Sequence, residues 1–583
     1  ANVFLIQSQF DPDEYWQNLE PSYCRVFEDD ATFDKDSSCP GLTWEWKRRR
    51  QVPQQNESIE QWIHPFTESL AFGLEGPVRS FASILPTLVF YAILRKYRWD
   101  SSWMVSRGPL IVNAIFVAAT TDWAVWYSSR WMKPRILGET KKTQNDKRMD
   151  VVFWCVFCSL SSWFNAYTLV RTYSNSLETA LMSMSFALVS PVILSANETA
   201  STSSKSLARD WIAFFIGGIC VSIRFTCLTA YIPMGIILAR QAKSMKATIA
   251  YLFGVCALPG LLGFVLTVFL DRMMFGVWAI PVLGNFHFNV IQGNGSLYGT
   301  HPLHWYVTAG VPALTGILLP VLIYDLLFAR WSRATRNLWT IVGCYVLAHS
   351  ASEHKEFRFL LPILPIISLL CGTRIEHLTR GLGPSRRNQI IVGSSGLNLI
   401  VVLYLGLVHQ RAPIDVNQAI LGAVNATQRS PFDQIEVHYL MGCHSTPLLS
   451  HLHAPPTKFL PWYLDCGPDC RADPAADCES NIFSNDPEDF VKRTYFDCDD
   501  DQTVEATCTA NRDGKSTSRV RSVPDYIVCY SDDAWKMKQR LNVMGMKEIG
   551  RFVHGINGFQ VWNLSFGSLS VPDEDSTKFG VLN

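Results

Sequence analysis

Apolar stretches broken by short polar ones fill the middle of the chain: about 78–94, 109–128, 151–170, 177–195, 211–223, 226–239, 247–270, 305–328, 338–349, 359–373 and 389–408. Most approach the roughly 20 residues a helix needs to cross a bilayer, so they predict a polytopic α-helical membrane protein. After about residue 410 the pattern changes. IEVHYLM (435–441) and DYIVCY (525–530) read as buried strands, a helix is expected from Asp533 to Met544, and RFVHGINGFQVW (551–562) is strand-like. The pattern predicts a transmembrane bundle over 109–410 and a small α/β domain over 411–583. Residues 466–522, rich in Asp, Ser and Pro, read as a poorly ordered insertion.

Charge orients the bundle. Arg130, Lys133, Arg135, Lys141, Lys142, Lys147 and Arg148 crowd one loop, and further basic loops run from Arg240 to Lys246, Arg330 to Arg336 and Arg374 to Arg387. Positive loops face the cytoplasm, which places Arg171 to Glu178, Asp271 to His304, Ser350 to Arg358 and the tail on the luminal side. Counting back leaves 78–94 as a surplus crossing. Residues 1–75 carry the sequon Asn56-Glu-Ser and the pair Cys24 and Cys39, both luminal features, so 78–94 is expected to lie in the interface. About ten crossings remain, with 1–108 as a first luminal loop. The opening ANVFLIQSQF is too short to span and reads as the end of a first transmembrane helix.

Composition agrees. Of 583 residues 48% are hydrophobic and 17% charged, and 51 basic residues balance 51 acidic ones, so no global field points to a nucleic-acid partner. Seven of the 16 cysteines lie in apolar spans; the other nine, Cys24, Cys39 and seven in the tail, suit an oxidising compartment. Nine is odd, so at least one is expected to stay free or to pair with another chain. The sequons at Asn294, Asn425 and Asn563 fall on the same side; Asn197 falls on the cytoplasmic side and reads as chance.

Three motifs carry candidate chemistry. Phe10-Asp-Pro-Asp-Glu-Tyr-Trp-Gln opens the first loop, and Asp13 and Glu14 suit a general base, although Asp11 or Asp13 would serve equally as a helix cap. Glu353-His-Lys-Glu-Phe-Arg-Phe359 packs charge against a span, where it needs a phosphate, carboxylates or water as partner. His354, Lys355 and Arg358 there suit a phosphate, or an interfacial anchor. Tyr298-Gly-Thr-His-Pro-Leu-His-Trp-Tyr306 offers His301, His304 and Trp305 as pocket or belt residues, with no third metal ligand nearby. Arg79, Asp122, Arg171, Glu178 and Arg224 sit where charge is expensive, and Arg171 and Arg224 are near enough to the luminal side to reach a phosphate. In the tail, Cys443-His-Ser-Thr-Pro with His451 and His453 suits either a metal or a disulfide.

Together these motifs resemble glycosyltransferase family 22, the dolichyl-phosphate-mannose-dependent mannosyltransferases. His354 to Phe359 reads HKE-x-R-F, Asp13 and Glu14 form the acidic pair of the first loop, and PDEYWQ-x-LEP, LTWEW (42–46), YGTHP-x-HWY and CHSTPLLSHLH (443–453) point to the branch that builds glycosylphosphatidylinositol (GPI) anchors. The family's HPWHW-like string reads His301-Pro-Leu-His-Trp here. The resemblance implies a GT-C fold in the endoplasmic reticulum membrane, with Arg171 to Glu178 at a luminal active site. It implies an inverting transfer of the third mannose, in α-1,2 linkage, from dolichyl phosphate mannose to the second mannose of a GPI precursor, with no metal cofactor. Asp13 or Glu14 would be the base; His354, Lys355, Arg358, Arg224 and Arg171 would hold the donor phosphate; and Trp16, Gln17, His301, His304, Trp305 and Glu356 would line the substrate pocket. The alternative is a sister enzyme acting on the dolichol-linked N-glycan precursor or adding the fourth GPI mannose. A transporter is disfavoured because no internal repeat is visible.

Overall fold

The computed structural model describes residues 2–28, 39–47, 76–132, 141–194, 204–242, 244–426, 434–442, 444–465, 467–473, 475–498, 508–510, 520–554 and 557–564. Ten helical passages run back and forth through the described bundle: Ser102–Ser129, Lys141–Leu160, Ser174–Ile193, Ser204–Ile223, 225–239, Met245–Phe275, Tyr306–Leu327, Arg333–Ala351, Phe357–Thr379 and Pro384–Leu407. Seven of these contain a stretch long and apolar enough to cross a membrane on that criterion alone. Their surfaces show why: Ile115, Phe116, Phe253, Leu261, Leu266, Val392 and Ile400 are exposed, as lipid-facing side chains are. The Ser204–Ile223 and Met245–Phe275 helices touch backbone to backbone at glycines. A Cβ on Gly218 would lie 1.8 Å from the Gly260 carbonyl, and one on Gly263 would lie 2.1 Å from that of Phe215.

Two stretches differ from the pattern reading. The expected crossing at 151–170 stops at Leu160, because Ser162 starts a new short helix, Trp163–Thr168, by accepting the Asn165 N–H at 3.3 Å. Within 78–94 the helix is Leu85–Tyr97, whose 13 residues reach only about 20 Å, short of a bilayer's apolar core. Its exposed side chains Leu85, Val89, Ile93 and Tyr97 recur every four residues, while Leu88, Tyr91 and Leu94 are buried. That amphipathic division suits a helix lying in an interface.

The tail begins with the Ala412–Ala426 helix and builds a five-stranded sheet. Its strands are β1 (Gln434–Leu440), β2 (Lys458–Tyr463), β5 (Tyr526–Tyr530), β6 (Met546–His554) and β7 (Asn557–Leu564), in the order β2-β1-β5-β7-β6. The short β3 (Phe496–Cys498) and β4 (Cys508–Ala510) pair apart from it. β1 lies parallel to β2 and β5, and β7 is antiparallel to β5 and β6. The pattern reading missed β2, which contains Pro461; it sits at the sheet edge, where a missing N–H is tolerated. RFVHGINGFQVW is strand-like as expected but divides between two antiparallel strands, the end of β6 and the start of β7.

The expected disorder over 466–522 is corrected for 467–473 and 475–498, whereas 499–507 and 511–519 lie outside the described residues. Helices Pro468–Ala472, Glu479–Asn485 and Pro487–Tyr495 occupy much of it, because Phe483, Phe490, Val491 and Tyr495 pack onto the sheet between the acidic residues. Cys24 is bonded to Cys39 and Cys470 to Cys478, whereas Cys529 is a buried free thiol. The sequons at Asn56 and Asn197, and Cys443 and Cys466, lie outside the described residues.

Candidate active site

The first loop and the two loops at 299–306 and 352–358 meet at the end of the bundle that carries the tail. At residues 11–14 the Pro12 carbonyl accepts from the N–H groups of Tyr15 and Trp16, at 3.0 and 3.1 Å, and the Asp13 N–H donates to Asp11 Oδ1 at 3.0 Å. This turn starts a helical run, Tyr15–Leu19 continued by Glu20–Phe27. From the opposite side, the tight turn Phe357–Ile363 presents Arg358.

Arg358 is the hub. Its Nη2 lies 2.5 Å from Asp13 Oδ2, its Nη1 3.2 Å from Asp11 Oδ1, and its Nε bonds Glu356. The guanidinium is only 6% exposed, while the Asp13 side chain is 28% exposed. Asp13 is therefore ion-paired and still reachable. Burial pushes the Asp11 carboxyl up from 3.8 to about 7, against the pull of Arg358. Glu356 responds the other way: burial alone would raise it, but Arg358 and a 2.8 Å bond with His354 hold it well below the usual carboxylate range. His354 in turn is raised, its bond and charge interaction with Glu356 outweighing burial. The site has three carboxylates around one guanidinium and one imidazole.

The neighbouring acid has a different surrounding. Glu14 is 2% exposed and lies 2.7 Å from Nη1 of Arg171, itself 1% exposed by side chain. Arg171 also donates to the carbonyls of Ser8 (2.8 Å) and Tyr167 (3.1 Å), and Thr172 Oγ1 donates to the Glu14 carbonyl at 2.7 Å. The expectation that Glu14 serves as base and Arg171 as phosphate ligand thus meets a sealed pair that joins the first loop to the bundle. Lys355 also turns inward. Its ammonium donates to the carbonyls of His301 (2.9 Å) and Ser352, so it staples two loops together instead of facing a phosphate.

Arg224 fits the phosphate expectation better. It precedes the Phe225–Cys227 turn, with Nε 3.2 Å from Glu178 and its plane 4.7 Å from the Phe359 ring. Its two terminal nitrogens have no partner among the described residues. Tyr345 completes this layer, donating to Glu178 Oε1 and the Phe359 carbonyl.

His354 Nδ1 donates to the Gly299 carbonyl (3.2 Å), the His301 N–H donates to the Glu353 carbonyl (3.0 Å), and His301 stacks on Trp305 with ring centres 4.5 Å apart. His304 is exposed and bonds Thr308. Gln17 reaches Glu45 at 3.4 Å, and Glu45 pairs with Arg79 at 2.7 Å. Trp16 is buried against the tail. The sequence reading underused Asp11, weighed only as a cap, and Tyr306, whose hydroxyl bonds the backbone of Glu356 from both directions. No trio of His, Cys, Asp or Glu suited to a metal ion occurs among the described residues.

The model of the Alg9-like mannosyltransferase family matches residues 72–453, about two thirds of the chain. The chain belongs to that family. This Alg9-like protein is a membrane-embedded mannosyltransferase. It is 30% identical over 501 residues to the GPI alpha-1,2-mannosyltransferase 3 of Homo sapiens, covering 85% of this chain and 75% of the human one. It is 26% identical to the mannosyltransferase APTG1 of Arabidopsis thaliana, covering 95% and 87%. Among solved structures it superposes on ArnT from Cupriavidus metallidurans bound to undecaprenyl phosphate with a TM-score of 0.54, over 96% of this chain and 95% of that one, at 10% identity. That likeness shows the GT-C fold.

Proposed function

We propose that this enzyme transfers mannose in α-1,2 linkage from dolichyl phosphate mannose to a GPI-anchor precursor, as its third mannose, on the luminal side of the endoplasmic reticulum membrane. The observation that carries the proposal is Asp13, ion-paired to Arg358 yet partly exposed, with Arg224 on the same end of the bundle. The names of the relatives support the GPI acceptor and the α-1,2 bond.

In this reading Asp13 takes the proton of the acceptor 2-hydroxyl as its oxygen attacks the anomeric carbon, and the bond from that carbon to the phosphate breaks with inversion. Arg358 orients Asp13 through their ion pair. The departing dolichyl phosphate is a weak base and needs no proton, so its charge is met by Arg224 and His354. The chemistry calls for no metal cofactor. Glu14 and Arg171 hold the loop in register, and His301, Trp305 and Glu356 lie beside the Arg358 cluster and are assigned to the substrate.

The test uses labelled lipid intermediates in cells lacking this chain. A two-mannose GPI precursor is expected to accumulate; a truncated dolichol-linked oligosaccharide instead would assign the enzyme to the N-glycan precursor.

A further inference from the structure

We propose that Glu20 is a positioning residue for Asp13: it locks the helix that begins at Asp13 onto the 444–453 segment of the tail, so the tail domain sets the reach of the catalytic carboxylate. The inference rests on Asp13 being the base.

The helix turns one continuous face toward the tail. Trp16, Glu20, Tyr23 and Phe27 follow each other at three- and four-residue steps, which puts them on one side. Each meets the tail segment. The Trp16 indole N–H donates to the Thr446 carbonyl at 2.9 Å, and its ring packs 4.5 Å from His444. Glu20 accepts from the N–H groups of Leu448 (2.9 Å) and Ser450 (3.2 Å) and from the Ser450 hydroxyl (2.6 Å). The Tyr23 hydroxyl bonds His453 Nδ1 at 2.8 Å, and Phe27 lies 4.9 Å from the same ring. On the other side, a Cβ at Gly41 would meet Cys24 Sγ at 2.9 Å and Glu20 Cβ at 3.1 Å, so the helix has no room to retreat.

Glu20 is the part of this arrangement that packing alone does not explain. Its side chain is fully buried, and no cation pairs with it among the described residues. Burying an acid this way is costly, and an apolar residue would fill the space more cheaply. What an apolar residue lacks is the ability to take three directional donors from one turn of another domain. The segment is itself unusual: His444 has a left-handed backbone (φ 60°), a conformation that persists in a non-glycine residue only when surroundings impose it. Glu20 lies seven residues, about 10 Å, along the helix from Asp13. A shift of about 1 Å in a reacting group costs up to about a hundredfold in rate, so slack at Glu20 is felt at Asp13.

The experiment compares Glu20→Gln, Ser450→Ala and Tyr23→Phe in the full chain, with activity expressed per mole of folded enzyme and Asp13→Asn run in parallel. Glu20→Gln is expected to lower kcat about tenfold with both KM values within about twofold, and the two milder variants to lower kcat about threefold. Adding Ser450→Ala to Glu20→Gln should cost less than the product of the two effects, because they share one contact. A merely structural role would reduce the yield of folded protein and leave its kcat unchanged, and that result overturns the proposal. If Glu20→Gln yields no folded enzyme, unchanged kcat in Ser450→Ala and Tyr23→Phe overturns it equally. Retained activity in Asp13→Asn would instead remove Asp13 as the base, whatever the clasp variants do.

Discussion

Asp13 and Glu14 are adjacent in sequence and both face an arginine across the fold, yet their surroundings differ completely. Glu14 and Arg171 are each at most 2% exposed, and Arg171 is further bonded to the Ser8 and Tyr167 carbonyls. Asp13 shares Arg358 with Asp11 and Glu356 and keeps a quarter of its side chain open. A pair that is sealed and satisfied holds structure together. A carboxylate oriented by an arginine and left accessible can reach a substrate hydroxyl.

The sharpest way to break this contrast is Asp13→Asn. Loss of the base is expected to reduce mannose transfer by about a thousandfold while thermal stability changes little, read from a lipid-linked mannose assay beside an unfolding curve. Glu14→Gln should do the reverse. It leaves Arg171 buried without a counter-charge, at a cost of about 3–5 kcal/mol, so the unfolding temperature should drop sharply; an unchanged melting curve would overturn the structural reading. Arg224→Gln is expected to lower kcat/KM about a hundredfold per mole of folded enzyme, since it removes charge opposite the departing phosphate, and to lower stability as well because the buried Glu178 loses its counter-charge.

Asp11 offers a smaller, pH-dependent effect. Its folded value is raised by burial from 3.8 to about 7, so the folded state binds that proton more tightly than the unfolded chain. Its contribution to stability is fully present below about pH 3.8 and is lost as pH rises through about 7. Asp11→Asn cannot ionise, so the variant should lose stability less steeply than the parent between about pH 4 and 7, as a thermal-shift series would show.

Local pattern made much of this fold legible. The apolar runs at 109–128 and 247–270 fall within observed helices and those at 177–195 and 389–408 match theirs to within two residues, because a span must bury its backbone hydrogen bonds within its own length. Where a tertiary contact supplied the reason, pattern fell short. β2 was hidden by Pro461, acceptable only at an edge, and the helices at 468–495 were hidden because their few apolar residues find a partner only in the sheet. The motifs did bring the right segments together, but the roles within them did not follow from residue type. Lys355 and Arg171 carry the charge a phosphate wants and spend it on Ser352, His301 and Glu14.

Residue order alone was thus enough for most helices of the bundle and for the gathering of HKEFRF and DPDE at one end, since length and apolarity are properties of a chain read along its own axis. Which carboxylate stays open was a decision of folding. Asp13 meets Arg358 345 positions away and Glu14 meets Arg171 157 positions away, and burial at those meetings separates two acids that are otherwise neighbours. Burial depends on everything packed around a site, and no short stretch of sequence contains that information.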